Sequence, residues 1–124
     1  MKYMLTLLML LSLSVTNAQT NIQPETIAEH VGDSVSLTAK VYSTRYFENA
    51  KDAPTLLNLG AAFPHQLLTV VIYGTERKNF SEAPENFYKD KTIRITGKVE
   101  LYKGKPQIVA KASSQILVLP EQAN

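Results

Sequence analysis

Two short stretches of this chain interleave flat rings with cations. Arg45, Tyr46, Phe47 and Lys51 form the first, and Tyr102, Lys103 and Lys105 form the second. A ring offers a face on which planar heterocycles stack, worth roughly 1 to 3 kcal/mol per nucleobase, while Lys and Arg beside it neutralise phosphates. Tyr42, Thr69 and Tyr73 join the set if strand alternation points them outward. A plainer reading of the same residues stays open. In it Tyr46 and Phe47 fold back to cover one end of a sheet, and Lys103-Gly104-Lys105 is a solvated hairpin tip. Glu48 and Asp52 dilute the positive charge of the first stretch, which favours this second reading.

Bond-breaking chemistry is harder to assemble. His30 and His65 are the two histidines, neither has a partner at zinc-ligand spacing, and there is no cysteine. Gly32-Asp33-Ser34 lacks the Gly-x-Ser-x-Gly nucleophile turn, and Gly104-Lys105-Pro106 lacks the spacing of a phosphate-cradling loop. Glu76, Glu82, Glu85 and Asp90 read as solvated loop carboxylates rather than as an ordered calcium ligand series. The expectation is a non-enzymatic protein with no cofactor and no metal. Asn58 either reads a base edge with its amide or, as Asn before Gly more often does, forms a turn by bonding its own backbone, and Gln107 faces either a ligand or a neighbouring strand.

The elements that must position these residues follow from periodicity. Ser34 to Tyr42 alternates, with Val35, Leu37, Ala39 and Val41 on one face. Residues 43–54 read as a long loop. Thr55 to Leu59 is a short second strand, and Leu67 to Tyr73 a third with Leu68, Val70 and Ile72 on one side. An Asn-Leu-Gly stop and a Phe-Pro turn join these two, so they lie antiparallel, since parallel strands need a long crossover. Between Gly74 and Asp90 the period fails. Phe80, Pro84, Phe87 and Tyr88 anchor that loop, with one helical turn begun by Pro84, whose missing N–H has no partner at a helix start anyway. Thr92 to Tyr102 is a fourth strand with Ile93, Ile95, Gly97, Val99 and Leu101 inward, and Gly97 marks a bulge or sharp bend. Pro106 to Ala110 returns as a fifth strand, which Ser113 to Leu119 extends after a break. Thr26 to Val31 is a helical or irregular lead-in that stops at Gly32.

The first residues are read as an address, not as fold. Lys2 gives a basic start, Met4 to Val15 an apolar stretch, and Thr16-Asn17-Ala18 a small-residue cleavage site, so residues 1–18 form an expected signal peptide. That stretch is shorter than the roughly 20 residues of a membrane-spanning helix, and no transmembrane segment is expected. About 106 residues would remain after cleavage, the size of one domain. Residues 19–25 are then a flexible lead, 26–119 the domain and 120–124 a frayed tail. The whole chain carries a net charge of +2, and loss of Lys2 leaves +1, too little for strong global attraction to polyanions. With no cysteine, stability in an oxidising compartment rests on packing alone.

Five unequal strands, with a bend glycine in the fourth and a helical element between the third and fourth, predict an all-β fold with a short helix. The predicted architecture is a five-stranded Greek-key OB-fold barrel. The segments GDSVSLTAKV, LNLG with FPHQLLTVVI, and TIRITGKVELYKGKPQI resemble the secreted bacterial OB-fold modules related to the tRNA-anticodon-binding type, which also accompany nucleases. The resemblance runs from about Ile27 to Leu117 and implies nucleic-acid binding without implying nuclease activity. The expected function is that of a secreted or periplasmic binding module. Its expected ligand is single-stranded nucleic acid, bound weakly and without strong sequence preference. An envelope protein-interaction or scaffolding module is the alternative.

Overall fold

The two longest strands each change partner half-way, and this turns a flat sheet back on itself. The computed structural model describes residues 20–120, so the expected signal peptide and residues 121–124 of the expected tail lie outside the described residues. Its strands are β1 (Thr20–Ile22), β2 (Ser34–Tyr46), β3 (Thr55–Leu59), β4 (Leu68–Ile72), β5 (Thr92–Tyr102), β6 (Lys105–Val109) and β7 (Ile116–Val118). One α-helical turn, α1 (Pro84–Phe87), and three 3-10 helices (Pro24–His30, Gly74–Asn79 and Ser113–Gln115) fill the described connections.

The protein is mostly β, a seven-stranded mixed sheet in which β2, β3, β4, β6 and β5 close a ring through the β2–β5 pairing. The N-terminal half of β2, from Ser34 to Lys40, pairs antiparallel with β5, and the half from Val41 to Tyr46 pairs antiparallel with β3. β5 divides in the same way: it faces β2 as far as Lys98 and β6 from Val99 onward. A parallel β4–β6 pairing completes the circuit. β1 adds to β2 in parallel and β7 adds to β5 antiparallel, both outside the ring.

Alternation decides which side chains fill the interior. Val35, Leu37, Val41, Leu57, Leu59, Leu68, Val70, Ile72, Ile93, Ile95, Val99 and Ile108 are fully or almost fully buried there. Ile27, from the first 3-10 helix, and Phe80 and Tyr88, from the long β4–β5 connection, complete the core. The Tyr88 ring meets Phe80 and Phe87 edge-on, at centroid distances of 6.4 and 4.9 Å, so the expected anchors of that connection do hold it down. Burial also raises the Tyr88 phenol above its ordinary pKa.

Five expectations change. The first strand does not stop at Tyr42. The extra residue of a bulge between Val41 and Ser43 resets the parity, and β2 continues to Tyr46 in register with β3. The register through Gly97 is continuous, so the glycine there marks no bulge. It makes room instead: a Cβ at Gly97 would lie 2.6 Å from the Ile108 side chain, where β5 leaves β2 for β6. Thr20–Ile22 is a paired strand inside what was read as a flexible lead. Ile116–Val118 does not extend β6 but turns back onto β5. Finally, Leu101, inward by parity, is 54% exposed, in the last turn-ward pairs of the β5–β6 hairpin, opposite Pro106.

The Gly97 contact yields a test. Gly97→Ala is expected to destabilise the fold by about 1 to 3 kcal/mol, the range for an overpacked core. At roughly 4 to 8 °C per kcal/mol for a domain of this size, a thermal melt resolves that loss. An unchanged melting temperature would mean that Ile108 moves aside freely and that the contact does not constrain the ring.

Candidate functional site

Residues that alternate with the core on β3, β4 and β6 form the floor of an open cleft. Cross-strand register sets Leu56 beside Val71, and Thr69 beside both Asn58 and Gln107. The cleft encloses about 680 Å³. Phe47, Lys51, Asp52 and Pro54 of the β2–β3 connection line one side, and Tyr102, Lys103, Lys105 and Pro106 of the β5–β6 hairpin line another. Phe63 and Gln66 of the β3–β4 connection and Tyr73 after β4 complete the lining. Phe63 and Tyr102 are 66% and 59% exposed at the rim, and the Lys103 ammonium lies 5.4 Å from the Tyr102 ring centre. Three lysines face one aspartate, which makes the lining net positive.

Seven of the residues singled out from the sequence therefore converge: Phe47, Lys51, Thr69, Tyr73, Tyr102, Lys103 and Lys105. The other three do not line the cleft. Tyr42 occupies the β2 bulge, which turns it to solvent beside Lys40, whose ammonium lies 5.1 Å from the ring centre. Arg45 acts at one remove, its guanidinium over the Phe47 ring at 4.5 Å. Tyr46 is placed by the reset parity opposite Thr55, whose side chain is fully buried, and so turns away from the cleft.

There Tyr46 belongs to a latch. The Arg77 guanidinium lies 3.7 Å from the Tyr46 ring centre, donates to Thr55 Oγ1 at 2.6 Å, and donates to both Glu85 carboxylate oxygens at 2.8 and 3.3 Å. Thr44 Oγ1 donates to the Glu85 backbone carbonyl at 2.8 Å. The hydrogen bonds from Arg77 hold the Glu85 carboxyl below its ordinary pKa, against the opposing effect of burial, and raise that of Arg77. Two acidic residues of this connection thus have separate partners: Glu85 holds Arg77, and Glu76 accepts from Asn79 Nδ2 at 2.8 Å.

Beneath the cleft runs a polar relay that sequence reasoning missed. Asn58 is 3% exposed in mid-strand and is not the turn former expected. Its Nδ2 donates to Ser43 Oγ at 3.0 Å, and that oxygen also accepts from the Phe63 N–H at 3.1 Å. Thr69 Oγ1 donates to Asn58 Oδ1 at 3.2 Å and accepts from Gln66 Nε2 at 3.1 Å. Phe63 and Gln66 were overlooked because they flank the Pro64 turn, where no strand parity applies. Their neighbour Asn58, polar in the leucine-rich β3, was the available signal.

No family model matches the sequence, and no curated protein does. Among solved structures, an aspartyl-tRNA synthetase from Leishmania major Friedlin matches 91% of this chain with a TM-score of 0.52 at 13% identity. The matching span is 23% of the synthetase chain. At that identity the likeness is one of fold.

The latch predicts an acid-sensitive contribution to stability. Since the folded-state pKa of Glu85 is depressed, the stabilisation is present above the ordinary carboxylate range and is lost as the pH falls through the lowered value. Glu85→Gln is expected to lower stability at neutral pH by about 1 to 3 kcal/mol, the scale of a hydrogen bond to a charged group. The same substitution should flatten the acid limb of stability against pH, measured by urea unfolding at a series of pH values. An acid limb parallel to that of the wild type would rule the latch out as its source.

Proposed function

We propose that this protein is a non-enzymatic OB-fold module that binds single-stranded nucleic acid along the β3–β4–β6 cleft. The carrying observation is the convergence of Phe47, Phe63, Tyr73 and Tyr102 with Lys51, Lys103 and Lys105 on one concave face. Rings hold bases by stacking, and cations along the same groove follow the backbone. The ring of strands supports the finer architectural reading. Taken as strands one to five, β2, β3, β4, β5 and β6 pair in the order one-two-three-five-four and back to one, with β1 and β7 as additions. In a five-stranded Greek-key barrel of this kind, ligands bind on the face of strands two and three, between the first and last hairpin loops. The cleft occupies that position. The fold likeness to a tRNA synthetase and the sequence resemblance to anticodon-binding-type modules agree with a nucleic-acid ligand. Export through residues 1–18 forms part of this proposal and would bring the ligand to the module outside the cytoplasm.

Fluorescence anisotropy with labelled single-stranded oligonucleotides tests the reading. Affinity is expected to fall as salt rises, with a log–log slope that shrinks by about 0.7 for each phosphate contact removed, so by about 1.4 in a Lys103→Ala, Lys105→Ala double variant. Tyr102→Ala should weaken binding roughly 5- to 100-fold, the loss of one stacked base. Tyr42→Ala, outside the cleft, should leave affinity within about twofold. Absence of binding at low salt, or binding that ignores salt as a neutral oligosaccharide would, sinks the proposal.

A further inference from the structure

Resting on that reading of the cleft, we infer that Gly74 is a positioning residue for ligand binding: its bare backbone seats the tip of the β2–β3 connection and so holds Lys51 in place as one of the phosphate contacts of the cleft.

The connection forms one wall of the cleft, and its base and its tip are held in different ways. At the base the Phe47 N–H donates to the Pro54 carbonyl at 2.9 Å, and the Arg45 guanidinium lies over the Phe47 ring. Toward the tip the Ala50 N–H donates to the Phe47 carbonyl at 3.2 Å and the Ala53 N–H to the Ala50 carbonyl at 3.0 Å. The backbone then passes through the left-handed region at two successive residues, Asp52 at φ 64° and Ala53 at φ 39°. Residues with a side chain seldom adopt that conformation, and it persists where the surroundings impose it. Gly74 is the surrounding that does so. Its N–H donates to the Asp52 carbonyl at 2.8 Å, and a Cβ at this position would lie 2.9 Å from the Ala53 Cβ and 3.2 and 3.3 Å from the carbonyl oxygens of Asp52 and Ala53. Gly74 has no positive φ of its own, so glycine is needed there for space.

The Gly74 side of this contact is the one that cannot give way. It follows β4, which is paired on one edge with β3 and on the other with β6, and it opens the 3-10 helix that Arg77 ties to Thr55 and Glu85. Residues 48–52 of the connection are all exposed. Crowding at position 74 therefore displaces the tip, with Lys51 and Asp52, while Phe47 keeps its place at the base. A lysine carried on a seated backbone has less freedom to lose when it meets a phosphate, which is how such seating raises affinity.

Paired variants, measured by anisotropy with a labelled oligothymidylate, separate this inference from the reading it rests on. Gly74→Ala is expected to weaken binding about three- to tenfold and to shrink the log–log salt slope by about 0.7, one phosphate contact on a single strand. Combined with Lys51→Ala it should bind no more weakly than Lys51→Ala alone, whereas combined with Lys103→Ala the two losses should multiply. Ala53→Gly added to Gly74→Ala removes the nearest crowding atom and should restore most of the affinity and of the slope. Should Gly74→Ala fail to fold by circular dichroism, Ala53→Val crowds the same contact from the loop side, with the same expected loss and the same dependence on Lys51. Wild-type affinity and slope in Gly74→Ala would overturn the positioning role, and so would losses that multiply equally with both lysine variants, since those report a disturbance of the whole fold. A Lys51→Ala variant that binds like wild type would also overturn it, while binding that still falls in Tyr102→Ala leaves the cleft standing. Failure of the wild-type protein to bind at low salt would overturn the cleft reading and the inference with it.

Discussion

The close approach of Ile108 to the backbone of Gly97 is the contact on which the rest of the architecture turns. β5 can leave β2 and take up β6 there because no side chain at position 97 holds the two strands apart. That exchange brings β6 alongside β4, and with it two consequences that face opposite ways. Inward, Ile108 seals the core between Val70 and Val99, its register partners. Outward, Gln107 is set beside Thr69, and the hairpin that carries Tyr102, Lys103 and Lys105 projects past the ring toward the β2–β3 connection. A cleft assembled from three separate stretches of sequence therefore depends on one absent Cβ.

The opposite requirement is met around Arg77. The long β4–β5 connection carries little regular structure, and Phe80 and Tyr88 fix it from the core side. Its polar side is fixed by Arg77, which ties the connection to Thr55 and Tyr46 while holding Glu85. Both charged partners are only about one-fifth exposed. Desolvation opposes such a pair, and here that penalty is met by a bidentate geometry with further bonds to hydroxyl and ring, the arrangement that makes a guanidinium tolerable in a partly buried position. Tyr46, an aromatic residue beside basic ones in the sequence, is thereby used for structure, while its neighbour Phe47 turns into the cleft.

That division explains how far the sequence could be read. Strand β5 was legible to the residue because unbroken alternation spans it, and β3 because a short apolar run ends there at the Asn-Leu-Gly stop. β2 was legible only to Tyr42, because the bulge shifts parity by one and makes Ser43 to Tyr46 look like loop. The turn to β7 was not legible at all. It is made by Gln115, whose side chain accepts from the N–H groups of Lys111 and Ala112 and donates to the Thr96 carbonyl, and no periodicity encodes such a bond. The cleft shows the same pattern. Residues at strand ends and hairpin tips were found from composition, whereas Phe63 and Gln66 are placed by a tertiary relay.

The relay also bears on what kind of site this is. An outer face of β3 and β4 made of leucine and valine would be a sticky patch, and one of charged residues would be too well hydrated to accept a flat ligand. Ser43, Asn58, Thr69 and Gln66 bond one another laterally, with Gln66 Oε1 left as the buried side-chain atom without a partner among the described residues, so the middle of the floor is polar. Leu56 and Val71 alongside provide an apolar bed. Rings and lysines sit at the margins of this floor. On the proposed reading such a surface gains little from enclosure and much from stacking, so affinity would build up with the number of bases laid across it.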